Sequence, residues 1–312
     1  MPPTGIPGPQ DAPASARPQF REGSELPSVV IAAHDEEAVL GACLRSLLSE
    51  GVERDRIVVV ANGCSDRTAE VARDHGVVVV EREEPGKAAA LNAGDAVAHG
   101  FPRIYLDADI VPPAGSLAAL VAAFVPGVLA TFPGRRLNVA GRPWPVRAYF
   151  SINERLPVFR DGLFGRGMIA VSEEGRARFA TFPELVADDL FLDAQFGAAE
   201  KREAAETTVV VEAPYSTRQL LARLVRVRRG NRQLRSAAVD GAVDGAVRPP
   251  DRWAWLREVV APHPRLWLAA IPYAAITVYA SLRARRAPRA DAWGRDESTR
   301  RSPGTDGGGR SS

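Results

Sequence analysis

The sequence predicts an α/β protein with a doubly wound, mostly parallel sheet, and two observations carry that prediction. Between Ser28 and Asp109, four short β-branched runs alternate with helical apolar stripes over short connections, which is the rhythm of consecutive βαβ units. Three polar clusters, at 34–37, 62–66 and 107–109, each fall at the end of one of these runs. In such sheets ligands sit beyond the carboxyl ends of the strands.

The elements follow in order. Ser28 to Ala33 is an apolar, β-branched run that reads as a buried strand. After His34-Asp35-Glu36-Glu37 the period changes, and Val39, Leu40, Cys43, Leu44, Leu47 and Leu48 fall on one helical stripe. Ile57 to Val60 is a second strand, closed by the turn Asn62-Gly63-Cys64. Ser65 reads as the cap of a helix running through Thr68, Val71 and Ala72. Gly76 ends that helix, and Val77 to Val80 is a third strand. Pro85-Gly86 breaks the chain, Lys87 to Ala98 is an Ala-rich helix, and Ile104 to Leu106 is a fourth strand ending in Asp107-Ala108-Asp109.

The second half is less regular. Phe132 to Pro145 is rich in Gly, Pro and Arg and reads as a loop or irregular edge. Phe159 to Val171 holds Gly162, Gly165 and Gly167, which suggests backbone passing close to a ligand. Leu185 to Phe196 carries Asp188, Asp189 and Asp193, and Val209 to Val211 reads as another strand. Thr217 to Leu234 is a basic helix, with Arg218, Arg223, Arg226, Arg228, Arg229 and Arg232 on it and Arg235 just past it.

Composition narrows the function classes. Of 312 residues 46% are apolar, enough for a sizeable core. Forty basic residues against 38 acidic ones give a net charge of +2, which excludes bulk nucleic-acid binding through a basic excess. Two cysteines, Cys43 and Cys64, make neither a disulfide framework nor a zinc signature, a usage that fits a reducing cytosol. Met1 to Leu26 has no apolar core of a secretory signal and is rich in Pro, Gly, Ala and Ser. The expected organisation is a disordered tail over 1–26, a catalytic domain over 27–236, a linker over 237–250, a helical segment over 251–286, and a second disordered tail over 287–312.

Asp107 and Asp109, spaced i and i+2 after an apolar strand, form a candidate site for Mg²⁺ or Mn²⁺. These hard cations take oxygen ligands, typically one or two carboxylates plus phosphates. A nucleoside diphosphate needs such charge neutralisation to leave. A solvated turn would carry the same two residues. No G-x-G-x-x-G follows the first strand, which argues against a dehydrogenase.

Four segments in register carry a resemblance. S-V-V-I-A-A-H-D-E-E, V-V-V-A-N-G-C-S-D-R-T-A-E, P-G-K-A-A-A-L-N-A-G and Y-L-D-A-D together resemble the nucleotide-binding half of the inverting family 2 glycosyltransferases over residues 27 to 111. The resemblance implies a GT-A fold, a Rossmann-like, mostly parallel sheet flanked by helices. It implies a metal-dependent enzyme that moves a sugar from a nucleotide-sugar donor to a glycan or lipid-linked acceptor. By the same resemblance His34, Asp35 and Glu36 stand near the base and ribose, and Asn62 falls where the family often has a base-reading Asp. Asp66, which could equally cap a helix, and Lys87 match donor-side positions. The stretch D-D-L-F-L is similar to the family's E-D-x-x-L, which makes Asp189 the expected base, with Asp188 as its alternate or as a positioning group. Gly165-Arg166-Gly167-Met168 resembles the acceptor-side glycine segment, which puts Gly167 among the substrate-binding residues.

Leu266 to Leu282 is uncharged for 17 residues, is interrupted by Pro272, and is followed by Arg283, Arg285 and Arg286. As a straight helix it reaches about 25 Å, short of a hydrocarbon core of about 30 Å. With Trp253, Trp255 and Trp267 it reads as an interfacial or re-entrant segment on the cytoplasmic face of the membrane, the alternative being a helix packed on the domain. The expected function is therefore inverting sugar transfer to an acceptor hydroxyl on a cell-envelope or lipid-linked glycan. A polyprenyl-phosphate glycosyltransferase and a non-catalytic nucleotide-sugar-binding protein of the same fold are the alternatives.

Overall fold

The computed structural model describes residues 26–160, 162–184, 187–240, 245, 247, 249 and 251–286. Apart from Leu26, the expected tails lie outside the described residues, as do residues 241–244, 246, 248 and 250 of the expected linker.

Seven strands form one mixed sheet in the order β3-β2-β1-β4-β6-β5-β7. The alternation read from the sequence produces its first part: β1 Ser28–Ala33, α1 Leu40–Ser49, β2 Ile57–Asn62, α2 Thr68–Asp74, β3 Val78–Arg82, α3 Lys87–Val97 and β4 Arg103–Asp107. β2, β1 and β4 are parallel neighbours, and every residue of β1 and β2 is buried. Burial on both faces is what makes such strands read as unbroken β-branched runs. α1 covers one face through Leu40, Cys43, Leu44 and Leu47, and α3 covers the other through Ala88, Ala90 and Leu91. α2 differs from expectation in its start. Ser65 does not cap it; the N-cap position is Arg67, and just before it Asp66 Oδ1 accepts from the backbone N–H of Thr68 at 3.0 Å.

The second half departs further from the sequence reading. Residues 132–138, part of the 132–145 stretch expected as a loop or irregular edge, lie in β5 Ala130–Asn138, after α4 Ser116–Ala122. β5 runs parallel to the long β7 Lys201–Glu212, with a register shift between Pro133 and Gly134. Pro133 lacks a ladder donor, and it sits at that irregularity. β6 Met168–Val171 is antiparallel to β4 on one side and to β5 on the other. α5 Trp144–Asn153 follows β5, and after the short α6 Glu173–Arg176 comes α7 Asp188–Gln195. α8 Thr217–Val239 opens with a capping box between Ser216 and Gln219 and extends past the expected end at Leu234.

The C-terminal segment forms a wide helical turn at Trp255–Val260 and then α9 Trp267–Arg286. Tyr273, Ile276, Ala280 and Ala284 are its buried residues, and Tyr273 stacks on Tyr149 of α5 at 5.0 Å between ring centroids. Leu268 and Ile271, at 75% and 71% exposed, mark the opposite face. The helix is thus packed on α5 and α8 along one side only. Residues 264–286 are long and apolar enough to cross a membrane by length and composition.

Gly94 sets the distance between α3 and the sheet. A Cβ there would lie 2.4 Å from Val30 Cγ1 and 3.3 Å from Val60 Cγ2. Alanine favours a helix by about 1 kcal/mol over glycine, while overpacking costs about 1–3 kcal/mol. Gly94→Ala is expected to lose about 1 kcal/mol net in chemical denaturation, and a variant as stable as the parent would show slack at this contact.

Candidate active site

Lys87 joins the pieces of the site. It is the first residue of α3, and its Nζ donates to Asp107 Oδ1 at the end of β4 at 2.8 Å and contacts Asp188 Oδ2 at the start of α7 at 2.9 Å. The sequence is silent on this pairing, since 20 residues separate Lys87 from Asp107 and 101 separate it from Asp188. Burial opposes the Lys87 cation, but the carboxylates of Asp107, Asp188 and Asp189 outweigh it and hold the amine well above the usual lysine range.

Asp189 is held from the other side. Its Oδ2 accepts from the backbone N–H of Gly165 at 3.0 Å. Burial and the neighbouring Asp188 charge push its carboxyl up to about 7, against the opposing pull of Lys87. α7 itself is anchored by Asp193, whose Oδ1 is 2.7 Å from Lys201 Nζ and accepts from Leu163 N–H at 3.1 Å. That pair is almost fully enclosed, so it fixes α7 and the glycine loop to β7 rather than serving a ligand. Gly167 completes the junction. Its φ is +69°, its carbonyl accepts from Asp107 N–H at 2.8 Å, and a Cβ would lie 2.5 Å from Ile110 Cγ1 and 3.3 Å from Asp107 Oδ2. Only glycine leaves that space beside the carboxylate.

Glu36, Lys87, Asp107, Asp109, Gly167, Asp188 and Asp189 line one cleft of about 1210 Å³. Asp109 is exposed, two residues past β4, in a turn closed by Ile110 N–H donating to Asp107 O. With Asp107 Oδ2 beside the missing Cβ of Gly167 and Asp109 open on the cleft, the donors are all oxygen. They fit a hard divalent cation.

Four of the expected residues are gathered in a different place. His34, Asp35, Asn62 and Asp66 do not line this cleft; they form a layer at the ends of β1 and β2. His34 Nδ1 is 2.8 Å from Asn62 O. Asp35, in the left-handed region at φ 52°, accepts from Ser65 N–H at 2.6 Å. Asp66 accepts from Glu37 N–H and Thr68 N–H, tying the two loops together. The ligand atoms of Asp35, Cys64 and Asp66 lie within 4.8 Å of one another, with the two carboxylates engaged in these turns. Both amide atoms of the Asn62 side chain are buried without a partner among the described residues.

The cleft also has a basic wall that motif spacing did not single out. Arg135 of β5 and Arg223 of α8 line it, with Arg228 and Tyr149 further along. Arg135 Nη1 donates to Gly165 O, and its guanidinium lies 4.1 Å from the Phe159 ring centroid. Burial, then Arg166 and Arg223, bring the Arg135 pKa down to about 10. Arg135 stood inside the segment read as a loop, so no periodicity marked it.

The raised Asp189 carboxyl has a consequence for folding. With a native pKa of about 7 against the ordinary aspartate value of 3.8, the folded protein keeps a proton between these pH values that the unfolded chain releases. Stability from this group is therefore present below pH 3.8, falls as pH rises toward 7, and is level above. Asp189→Asn removes that fall. In thermal melts across pH 4 to 8 the variant should gain on the parent up to about pH 7, by at most about 1.4 kcal/mol per pH unit. Parallel curves would place the Asp189 pKa in the ordinary carboxylate range.

Comparison with known proteins bears on the fold that carries this site. Residues 28–169 match the family model for glycosyl transferase family 2. An uncharacterized glycosyltransferase of Mycobacterium tuberculosis is 39% identical over 119 residues, which cover 38% of this chain and 52% of that protein. An undecaprenyl-phosphate 4-deoxy-4-formamido-L-arabinose transferase of Pseudomonas aeruginosa is 35% identical over 135 residues, covering 39% of this chain and 40% of that one. The chain thus spans about half the length, or less, of these curated relatives. A solved mannosyltransferase from Pyrobaculum calidifontis, in complex with GDP-Man and Mn²⁺, shares the fold at a TM-score of 0.55 and 22% identity over 83% of this chain and 75% of that one. Residues 28–169 thus match glycosyltransferase family 2, and the sheet, completed by β7 from residues 201–212, is that of a GT-A fold.

Proposed function

We propose that this protein transfers a sugar from a nucleotide-sugar donor to an acceptor hydroxyl with inversion, Asp189 acting as the base. The observation that carries this reading is the meeting of Asp107, Lys87 and the Asp188–Asp189 pair over one cleft. In a single displacement the acceptor oxygen bonds to the anomeric carbon as the bond from that carbon to the diphosphate oxygen breaks. The electron pair leaves with the nucleoside diphosphate, and the hydroxyl proton passes to Asp189. A carboxyl raised to about 7 is matched to that exchange near neutral pH.

Asp107 and Asp109 would hold Mg²⁺ or Mn²⁺, which when bound supplies charge neutralisation for the leaving diphosphate. The mannosyltransferase of this fold carrying GDP-Man and Mn²⁺ supports that assignment. Asp188 positions Lys87, and Lys87 keeps Asp107 and Asp188 from repelling each other. At the ends of β1 and β2, His34, Asp35, Glu36, Asn62 and Asp66 form the nucleotide end of the site; the unpartnered amide of Asn62 supports a role in reading the base. Gly167 gives the bound sugar room beside Asp107.

Calorimetry with UDP-, GDP-, ADP- and dTDP-sugars, each with Mn²⁺ or Mg²⁺, tests the donor site. One nucleotide should bind with metal dependence, Asp109→Ala should abolish that dependence, and Asp189→Asn should keep donor binding while transfer falls about 10²–10⁴-fold. A folded protein that binds none of them would refute the transferase reading.

The protein's proposed location is the cytoplasmic face of a membrane, seated through α9. Trp267, Leu268, Ile271, Val278, Tyr279 and Leu282 are exposed beside Arg283, Arg285 and Arg286. Apolar and aromatic side chains flanked by arginines fit an anionic lipid surface. Full-length protein should co-sediment with phosphatidylglycerol vesicles more than with phosphatidylcholine vesicles. Replacing Leu268 and Ile271 together by Asp should weaken that binding at least about tenfold, since each buried side chain contributes about 1.5–3 kcal/mol. Equal recovery of parent and variant would remove α9 as the seat.

A further inference from the structure

The negative end of the cleft, at Asp107, Asp109 and Asp189, is accounted for by the transfer reading, but its basic wall is not. Three arginines meet where the glycine loop faces α8. Arg166 is buried and spent on structure: it donates to the carbonyls of Gly162, Pro133 and Phe159, and Glu203 lies 3.5 Å away. Arg135 and Arg223 are different. Among the described residues neither has a carboxylate within ion-pairing distance, and burial, then the charges of Arg166 and Arg223, lower Arg135. Glu154 acts on Arg135 only as the weakest of its influences and is itself paired with Arg155. Arg228 adds a buried Nη1 with no partner, while its side chain also bonds Tyr149. Like charges held together in a half-buried wall without counter-ions leave an anion to be supplied from outside.

The position of this wall identifies which anion. Arg135 donates to the carbonyl of Gly165, the residue whose N–H holds Asp189. The arginines therefore stand beside the base, on the acceptor side, and not at the metal pair on β4. The same cleft is lined by the apolar Leu156, Leu220, Leu224, Val227 and Tyr273 as well as by polar side chains of α8. Tyr273 belongs to α9, the helix whose other face is exposed and apolar.

We propose that this arm of the cleft is an acceptor subsite for a phosphate-bearing amphiphile. Arg135, Arg223 and Arg228 receive a phosphate next to the reacting oxygen, and Leu156, Leu224, Val227 and Tyr273 receive the apolar chain. The proposal rests on the transfer reading for its chemistry, which is unchanged. The reacting oxygen is a hydroxyl near the phosphate, and Asp189 takes its proton.

Calorimetric titration of the full chain with three probes tests it: inorganic phosphate, farnesol and farnesyl phosphate. Farnesyl phosphate should bind at least about tenfold tighter than either of the other two, because only it satisfies both halves of the arm. Arg223→Gln and Arg135→Gln should each weaken farnesyl phosphate about tenfold, the size of one charge-assisted contact, while nucleotide-sugar affinity stays within about twofold. Val227→Asn, at an exposed position on α8, should weaken farnesyl phosphate but not inorganic phosphate. Circular dichroism confirms that each variant is folded. Equal affinity for inorganic and farnesyl phosphate would overturn the amphiphile and leave a plain anion site. Loss of nucleotide-sugar affinity in Arg223→Gln would overturn the acceptor assignment and give the wall to the donor diphosphate, and binding of none of the probes would overturn the subsite outright. Arg223-dependent binding of farnesyl phosphate in a protein that binds no nucleotide-sugar would uphold the subsite and reject the transfer reading.

Discussion

The site depends on one cation placed among three carboxylates. Asp107, Asp188 and Asp189 arrive from the end of β4 and the start of α7, and without Lys87 they would repel across a half-buried space. Lys87 occupies the first turn of α3, where the helix dipole disfavours positive charge. Its two ion pairs outweigh that local disadvantage. A residue that violates a local preference and is rescued by tertiary partners is the pattern expected where a fold has been adapted to chemistry.

The rest of the second half can be understood as the support for that cluster. The antiparallel β6 carries Gly167 to the side of Asp107, so that a glycine backbone, and not a side chain, borders the acid. The loop before it supplies Gly165 N–H to Asp189 and Leu163 N–H to Asp193, and the Asp193–Lys201 pair locks α7 to β7. Breaking that pair by removing one partner would strand a buried charge, so the acid and the amine stabilise the structure only together. Asp188 and Asp189 thus owe their direction to an ion pair one helical turn away.

Charge divides the cleft into two ends. Carboxylates gather at β4 and α7, guanidinium groups at β5 and α8, and the glycine loop is shared between them through Gly165, which donates to Asp189 and accepts from Arg135. Such separation lets one site hold a cation-assisted leaving group and an anionic partner without either neutralising the other's ligands. α9 closes the basic end with Tyr273 and presents its outer face to the surroundings, so the acceptor arm and the exposed apolar surface are two sides of one helix.

The first half of the sheet was legible because its signals are local. Strands buried on both faces must be β-branched and continuous, helices between them must carry one stripe, and the polar residues that follow each strand mark its carboxyl end. Asp107 and Asp109 could be picked out for the same reason, as an acidic pair at a strand end, and Asp188 and Asp189 through the resemblance of D-D-L-F-L to the family's E-D-x-x-L. Residues 130–138 could not, since Pro133, Gly134 and two arginines hide a strand whose pairing comes from residues 201–212, about 70 positions away. Nor could the sequence separate Glu36, which faces the cleft, from His34, Asp35, Asn62 and Asp66, which knot the loops beside it. Composition and periodicity therefore determined the alternating elements of the first half and the acidic pair on β4, and the resemblance supplied the pair on α7. Which charges meet, how far Asp189 is raised, and that Arg135 stands beside it were decided only by tertiary structure, because burial and Coulomb interaction depend on distance in space and not on separation along the chain.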